Sequence, residues 1–483
     1  MASISSQRDY RGRNNLILVG IGLTTAAAVW IFREWHRTRQ EQRLRDDDDV
    51  NSVSTILTAH EQLIEGGTPL IELKRVTKLI GRAVYVKMES MNPGGTGKDR
   101  AALNMIRMAE KEGKLPPPAA TVGANCDDNL FLHPSLPPVT TASYDDNGTT
   151  NTNTHASAPS ITTTEKELEG MVLQALERSR TGGLVVEGTS GSTGIALATL
   201  CAARGHACLV VLPDDQAVEK QRILRSLGAV VYEVPTAAIS NPKHYVNLGR
   251  KAARLAREKF GVSAVFIDQF ENLSNFDIHY RQTGPELLRQ IGRQGRRLDA
   301  FVMSSGTGGT IAGMATYLKE QCHKNNNEVQ IVLVDPPGSA LYHKVENGVA
   351  YAVEQRERYI RKHRYDTLAE GIGLDRITRN FSSGLDYIDQ AIRVTDQEAV
   401  DMAHWILRTE GLWIGSSSAM NLVGAIRTAL SLPEGSCVVT IICDGGQRHA
   451  TRFWDPKFIQ EWGLQWPGTD CIPDCLNENE KSD

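Results

Sequence analysis

The sequence lacks an excess of charge of either sign. It contains 53 lysines and arginines against 57 aspartates and glutamates, which gives a formal net charge of -4 at pH 7. Proteins that bind nucleic acids usually concentrate positive charge on one face, so this balance gives no reason to expect a nucleic acid as partner. The hydrophobic fraction of 41% and the charged fraction of 23% are ordinary for a soluble α/β protein.

Regularly spaced cysteines are also missing. The eight cysteines have neither the spacing of metal ligands nor that of a disulfide framework. Four of them lie within or beside apolar runs: Cys201, Cys208, Cys437 and Cys443. We therefore expect reduced thiols in the core of a protein that is not secreted. Cys471 and Cys475 flank a proline in a polar segment, where a redox or metal role stays open.

One segment departs from the soluble composition. Residues 16–32 carry no charge, have arginines on both sides and include Trp30 near one edge. At about 1.5 Å per residue in a helix they span about 26 Å, enough for a thin bilayer. We expect a membrane anchor, most simply in the mitochondrial outer membrane with the rest of the chain on the cytosolic side. An endoplasmic reticulum anchor, a cleaved secretory signal, a mitochondrial presequence and a core helix are the alternatives.

Lys98 lies where a glycine-rich turn meets a predicted helix. The apolar strand pattern of residues 83–88 runs into an Asn-Pro-Gly-Gly turn at 92–95 and then into the helical run of residues 101–106. A lysine at a helix N-terminus can bind a phosphate or, when desolvation removes its charge, act as an amine nucleophile that forms a Schiff base. A surface lysine that happens to follow a turn is the alternative.

Two further loops of small residues follow apolar strand patterns and precede helical ones. They occupy residues 187–194 and residues 304–313. Each directs several backbone N–H groups and the positive end of a helix toward one place, which suits an anion. Small residues also permit tight packing of a strand on a helix, but three such loops in one chain, one of them with a lysine, favour a ligand.

The motifs resemble those of the cysteine synthase and cystathionine β-synthase family, whose members use pyridoxal phosphate (PLP). The lysine stretch is followed in the family's order by Thr-Ser-Gly-x-Thr-Gly at 189–194, Gly-Thr-Gly-Gly-Thr at 306–310 and Gly-Ser-Ser-Ser-Ala at 415–419. The similarity covers roughly residues 60–455 and is closest to fungal-type, membrane-anchored mitochondrial members. It implies the α/β architecture of fold-type II PLP enzymes, with two parallel-sheet subdomains and the cofactor in the cleft between them. The alternation of apolar runs with helical patterns also predicts βαβ units.

The chain is predicted to have three regions. Residues 1–50 form the anchor and a charged stalk, residues 51–466 the catalytic domain, and residues 467–483 a flexible tail. Residues 116–164 are rich in Pro, Thr, Asn and Ser without periodicity, so they are predicted to be a disordered insert in the catalytic domain. We expect neither the haem-binding segment nor the regulatory domain pair of some cystathionine β-synthases.

The resemblance also implies a role for individual residues. Lys98 corresponds to the lysine that forms the internal aldimine with PLP and moves the α-proton of the substrate. Ser417 corresponds to the serine that bonds the pyridine nitrogen, with its neighbours Ser416 and Ser418 as alternatives. The cofactor phosphate is expected at Gly306, Thr307, Gly308, Gly309 and Thr310. The substrate carboxylate is expected at Thr189, Ser190, Gly191, Thr193 and Gln269.

Position 192 departs from the family pattern. The family usually has an asparagine there, which bonds the 3'-oxygen of the cofactor, whereas this chain has Ser192. The shorter hydroxyl could reach that oxygen through a water or from a shifted backbone, or the contact could be lost. Ser192 is nevertheless assigned to the cofactor site by its place in the motif.

The function that the resemblance implies is β-replacement. O-acetyl-L-serine, or another O-activated serine, loses its leaving group to give an aminoacrylate on PLP, and sulfide adds to give L-cysteine. A neutral serine at the pyridine nitrogen favours such elimination over transamination. The alternatives are condensation of serine or cysteine with homocysteine, dehydration of serine or threonine, and a weakly active PLP-binding sulfur sensor or scaffold. The family also implies a homodimer.

Overall fold

A computed structural model describes residues 58–119, 161–351 and 367–476 of the chain. A compact unit that contains both sheets begins at Ala59. The predicted anchor at 16–32 and most of the predicted insert lie outside the described residues, so these remain predictions. No helix in the described part of the chain is long and apolar enough to cross a membrane.

The strands form two sheets. In chain order they are β1 (Leu70–Glu72), β2 (Ala83–Lys87), β3 (Leu184–Gly188), β4 (Ala207–Pro213), β5 (Val230–Val234), β6 (Ala264–Phe266), β7 (Ala300–Ser304), β8 (Gln330–Asp335), β9 (Gln390–Arg393) and β10 (Cys437–Ile441). One sheet has the order β1-β2-β10-β7-β8-β9 and the other β5-β4-β3-β6. All paired strands are parallel except β1, which lies antiparallel to β2. The predicted α/β class with two parallel sheets is confirmed.

The helices alternate with these strands. The helices of the described residues are α1 (Ala59–Gly66), α2 (Lys74–Ile80), α3 (Lys98–Lys111), α4 (Ile161–Leu176), α5 (Ser192–Arg204), α6 (Val218–Ser226), α7 (Tyr245–Phe260), α8 (Ser274–Ile278), α9 (Gly284–Arg293), α10 (Gly309–Lys324), α11 (Leu341–Asn347), α12 (Arg379–Ser382), α13 (Asp396–Glu410), α14 (Ser416–Ser431) and α15 (Pro456–Glu461). A π-helical turn, His279–Thr283, joins α8 to α9.

Both faces of the central strands are buried. Every residue of β2, β3, β7 and β10 is buried, as expected for parallel strands covered by helices on both sides. Successive residues of β7 enter different apolar cores: Val302 packs into one cluster and Phe301 into the other. In the smaller sheet, Val185 and Val186 divide in the same way. The continuous apolar runs in the sequence are therefore strands that face two cores.

Two predicted boundaries differ from the structure. Helix α4 begins at Ile161 and not at Glu165, and the backbone N–H of Ala119 donates to Arg204 O over 2.9 Å, so both ends of the predicted insert belong to the fold. The flexible tail predicted from residue 467 onward stays a prediction, although its first residues contact the catalytic domain. Arg408 donates to the carbonyl groups of Gly468 and Cys471 at 2.9 and 2.7 Å.

Candidate active site

The predicted ligand loops lie at the carboxyl ends of parallel strands. The Lys98 loop follows β2, the loop at 304–309 follows β7, and the segment 442–446 follows β10, which lies between them. In the smaller sheet, the loop at 189–191 follows β3. Open parallel sheets bind their ligands at this edge, because the loops that follow neighbouring strands converge there.

Lys98 is the first residue of α3 and is half-buried. Burial lowers the pKa of its ammonium group below the ordinary value, while Cys443 and Asp444 act in the opposite direction. A lowered pKa leaves more of the amine unprotonated near neutral pH, which a nucleophile that attacks a carbonyl group requires. The position and the chemistry of Lys98 therefore fit covalent attachment of an aldehyde.

The loop before Lys98 is fixed at several points. Asp99 Oδ2 accepts a hydrogen bond from the Gly94 backbone N–H over 2.6 Å, and Arg448 donates to Gly94 O. A side chain at Gly94 would collide with the Asp99 carboxyl. The backbone of Thr96 pairs with that of Asp444 in an isolated antiparallel bridge. Lys98 is thus tied to the segment that follows β10.

A buried ionic cluster lies beneath the first turn of α3. Arg100 Nε lies 2.9 Å from Glu89 Oε2, and Arg100 Nη1 lies 2.8 Å from Glu286 Oε2. Lys87 completes the cluster by pairing with Glu286. Burial alone would raise the pKa of Glu89, but Arg100 and Lys87 lower it to about 2. Two cations and two anions therefore stabilise both ends of the loop that carries Lys98.

The loop after β7 has the properties of an anion cradle. The backbone N–H groups of Gly306, Thr307 and Gly308 donate no hydrogen bond to any other residue that the structure describes. The hydroxyl groups of Ser304 and Ser305 are buried without a partner. A Cβ atom at Gly308, which has φ of 88°, would lie 2.6 Å from the backbone of Phe381. Free donors at the start of α10 suit a phosphate.

Two residues that the sequence analysis did not select hold the threonines of this loop. Asn275 Nδ2 donates to Thr307 Oγ1 over 2.9 Å. His279 Nε2 lies 3.1 Å from Thr310 Oγ1. Burial lowers the pKa of His279 to about 3, so the ring is neutral at physiological pH. Neither residue lies in a recognisable motif. Asn275 lies in α8 and His279 at the start of the π-helical turn, both before β7 in the sequence.

The predicted carboxylate loop is brought against Gln269. Thr193 donates its hydroxyl proton to Gln269 Oε1 over 2.6 Å, and Gln269 Nε2 donates to Glu187 Oε1 over 3.2 Å. Gly191, with φ of 129°, donates its N–H to Thr189 Oγ1. The hydroxyls of Ser190 and Ser192 form no hydrogen bond with any residue that the structure describes.

The same asparagine connects this loop with the phosphate cradle. Besides its contact with Thr307, Asn275 Nδ2 donates to the Gln269 carbonyl over 3.0 Å. Its Oδ1 atom is buried without a partner. The predicted carboxylate site and the predicted phosphate site therefore share one wall.

The three adjacent serines at the start of α14 have different partners. Ser416 Oγ accepts from the Glu370 backbone N–H, and Ser418 Oγ accepts from the Cys443 backbone N–H over 2.9 Å. Burial raises the pKa of the Cys443 thiol, and the Ser417 hydroxyl acts in the opposite direction, so Ser417 lies close to that thiol. Ser417 and Ser418 both lie beside Cys443, so the choice of Ser417 over its neighbours stays a prediction from the resemblance.

These residues fit pyridoxal phosphate. Lys98 supplies an amine for an aldehyde, the Gly306–Gly308 backbone supplies donors for a phosphate, and Ser417 supplies a neutral hydroxyl for a ring nitrogen. The seven described cysteines are free thiols, and the described residues contain no cluster of ligands for a metal ion.

Comparisons with known proteins also indicate an enzyme that uses pyridoxal phosphate. A family profile described as pyridoxal-phosphate dependent enzyme matches residues 61–125 and 163–444. Cysteine synthase 2 of Neurospora crassa is 40% identical over 429 residues, which cover 88% of this chain and 79% of that protein. A Saccharomyces cerevisiae protein named "putative mitochondrial cysteine synthase" is 40% identical over 399 residues, 82% of this chain and 83% of that one.

A solved structure supports the fold. The crystal structure of O-ureido-L-serine synthase has a TM-score of 0.57 and 24% identity, and the match covers 84% of this chain and 96% of that one. The interval between the two matched parts of the family profile, residues 126–162, falls inside the predicted insert. The family profile spans most of the chain, and the chain therefore belongs to the family of pyridoxal-phosphate dependent enzymes.

Proposed function

We propose that this enzyme is a cysteine synthase that makes L-cysteine from O-acetyl-L-serine and sulfide. The observation that carries the proposal is Lys98, a lysine of lowered pKa at a helix start, beside a cradle of free N–H donors and a preformed carboxylate loop. The names of the Neurospora and Saccharomyces relatives support the same reaction.

Some of the predicted cofactor residues would bind the cofactor, and Lys98 would also transfer a proton. Lys98 Nζ would hold the cofactor aldehyde and later carry the proton that leaves the substrate α-carbon. The cradle at 306–308 would hold the phosphate, with Asn275 and His279 fixing the hydroxyls of Thr307 and Thr310. Bound pyridoxal phosphate supplies an electron sink at the substrate α-carbon, which lets a group leave the β-carbon.

The substrate loop would bind the carboxylate of the amino acid. The hydroxyl of Ser190, together with the N–H groups at the start of α5, provides donors next to a positive helix end, and Thr193 binds Gln269 at the same place. Gln269 has its amide nitrogen turned toward Glu187, so in this structure it orients Thr193 rather than facing an open cleft. The Ser192 hydroxyl forms no hydrogen bond with a residue that the structure describes, and it takes the place where an asparagine is usual.

A substrate panel tests the reaction. Purified protein loaded with cofactor is incubated with O-acetylserine, O-phosphoserine, serine or cysteine, each with sulfide or with homocysteine, and the products are separated by chromatography. We expect the fastest turnover with O-acetylserine and sulfide. Cystathionine formed preferentially from homocysteine would replace the proposed reaction by that of a cystathionine β-synthase. Cofactor binding without any turnover would instead point to a sensor or scaffold.

We also propose a mitochondrial location, with the predicted anchor at 16–32 in the outer membrane. The name of the Saccharomyces relative supports the organelle, and the uncharged segment between arginines supports the anchor. Protease added to intact mitochondria should digest the catalytic domain. Protection until the outer membrane is ruptured would place the enzyme inside the organelle. A homodimer, which the family implies, is tested by sedimentation of the purified protein.

A further inference from the structure

Asp444 and His449 form a buried pair beside the Lys98 loop. His449 Nε2 lies 3.0 Å from Asp444 Oδ2, and both residues are buried. The backbone bridge between Asp444 and Thr96 ties the pair to the loop that ends at Lys98. The family resemblance assigns no role to either residue, and the steps described above do not use them.

The pair continues into a chain of charges that reaches the substrate loop. His449 Nδ1 lies 3.7 Å from Glu370 Oε2, and Glu370 pairs with Lys220 on α6. The stem of Lys220 packs against Gly191, where an added Cβ would lie 2.5 Å from Lys220 Cδ. Charged side chains therefore connect the predicted carboxylate loop of the smaller sheet with the lysine loop of the larger one.

Asp444 is a negatively charged group that acts on Lys98, and its backbone pairs with that of Thr96, two residues before the lysine. Burial would raise the pKa of Asp444, but His449 and the surrounding cations lower it below its ordinary value, so the carboxyl is ionised at neutral pH. Cys443 also interacts with Lys98, but burial raises the pKa of its thiol to about 11, so the thiol is neutral at that pH. Asp444 thus opposes the effect of burial on the Lys98 amine.

We propose that Asp444 is a positioning residue for Lys98. The carboxylate of Asp444, held by His449, keeps the lysine able to take up a proton as well as to release one. A lysine that transfers the proton of the substrate α-carbon has to accept this proton and later release it. Burial alone would favour the neutral amine over the ammonium form. A fixed carboxylate near the amine stabilises the ammonium form. The inference rests on the proposed role of Lys98 as the residue that binds the cofactor aldehyde.

Other charged groups act on the same pair. The charged residues around Asp444, or connected to it by way of His449 and Glu370, are Lys98, Lys220, Arg448, Arg452 and Glu370. Asparagine has the shape of aspartate without its charge, and its introduction leaves these other residues unmutated. A comparison of the native chain with Asp444→Asn therefore isolates the carboxylate charge.

The test is the pH dependence of covalent attachment at Lys98. The full-length chain is mixed with pyridoxal phosphate at values between about pH 6 and about pH 10, and the link is reduced with borohydride after a fixed short time. Mass spectrometry of the Lys98 peptide gives the rate at each pH. Removal of the carboxylate should move the midpoint of the rate profile to lower pH, by about one unit, because the ammonium form loses its nearby anion.

Controls separate this effect from general damage. Glu219→Gln removes a carboxylate that accepts hydrogen bonds from Thr451, on the same segment as His449. The rate profile of the Glu219→Gln variant should have the same midpoint pH as that of the native chain. Asp444→Ser provides a second uncharged replacement if Asp444→Asn does not fold. A midpoint that is unchanged in a folded Asp444 variant, or that moves to higher pH, would overturn the inference.

The outcome also distinguishes this inference from the proposed function. If the native chain forms no reducible link at Lys98, the assignment of the cofactor site is wrong. If the link forms in the native chain and its pH profile does not depend on Asp444, the cofactor site stands and only the role of Asp444 is rejected.

Discussion

The Thr193 hydroxyl donates a hydrogen bond to Gln269 Oε1 over 2.6 Å, across 76 residues of sequence. The two residues come from different loops, one after β3 and one after β6, which are neighbours in the smaller sheet. Both side chains are buried, so water does not compete for this hydrogen bond. The contact fixes the loop that is proposed to bind the substrate carboxylate, and it can be tested by removing a single hydroxyl group.

Replacement of Thr193 by valine should weaken substrate binding more than turnover. Valine keeps the shape of threonine but leaves Gln269 Oε1 buried without a donor, at a cost of about 1–3 kcal/mol. We expect the KM for O-acetylserine to rise about tenfold, with a smaller change in kcat. The matched control is Thr199→Val on the same helix, because the Thr199 hydroxyl donates to the backbone carbonyl of Ile195 and contacts no predicted site residue. Equal effects of the two replacements would argue against a substrate role for Thr193.

Replacement of Lys98 by alanine should abolish covalent attachment of the cofactor. The link requires a primary amine at this position, so the yellow absorption of the purified protein and the borohydride-stable adduct should both disappear. The control is Lys114→Ala, an exposed lysine that pairs with Glu112. An adduct that persists in Lys98→Ala would assign the attachment to another lysine.

Replacement of Gly308 by alanine should damage the phosphate cradle. The residue has a left-handed backbone, and a Cβ would meet the backbone of Phe381 at 2.6 Å. The strain from the positive φ alone costs about 1 kcal/mol, and the collision adds to it. Gly348→Ala is the matched control, because Gly348 also has a positive φ but no described atom lies within 4 Å of an added Cβ.

The measurement for this pair is the dissociation constant of pyridoxal phosphate by absorbance titration. Cofactor affinity should fall by tenfold or so in Gly308→Ala and stay near the native value in Gly348→Ala. Native affinity in a folded Gly308→Ala protein would show that the cradle lies elsewhere.

The ionic cluster beneath Lys98 should make stability sensitive to acid. The pKa of Glu89 is about 2 in the folded protein, below its ordinary value of 4.5, because Arg100 and Lys87 outweigh burial. A depressed folded-state pKa gives stability that is fully present above the unfolded pKa and is lost as the pH falls from about 4.5 toward 2. Urea unfolding at several pH values measures this loss.

Glu89→Gln should be less stable than the native chain at neutral pH, and the difference should shrink in acid. The control is Glu65→Gln, which removes an exposed partner of Arg107 and should have little effect at any pH. A stability difference that is independent of pH would show that Glu89 acts through its shape and not through its charge.

The sequence predicted the parts of the site that local patterns encode. Lys98, the loop at 306–310 and the loop at 189–193 each combine a strand pattern, small residues and a helix start within a short stretch, and all lie at the carboxyl edges of the sheets. The predicted alternation of apolar runs with helical patterns is confirmed for the same reason: buried parallel strands such as β4 appear as continuous apolar runs.

Contacts between distant parts of the chain could not be predicted in this way. The pair formed by Lys87 and Glu286 spans 199 residues, and nothing near either residue indicates the other. Asn275 and His279 lie in a helical stretch with no motif, although they hold the two threonines of the cradle. The antiparallel β1 was missed because three residues carry too little periodicity to indicate a strand.

The most direct test of the proposed function is the formation of cysteine itself. Full-length protein, pyridoxal phosphate, O-acetyl-L-serine and isotopically labelled sulfide are incubated together, and L-cysteine is measured by mass spectrometry against the same mixture with Lys98→Ala. We expect labelled cysteine from the native chain and only the uncatalysed background from the variant. Equal amounts of labelled cysteine in the two mixtures, or none above background with a cofactor-loaded native enzyme, would contradict the proposed function.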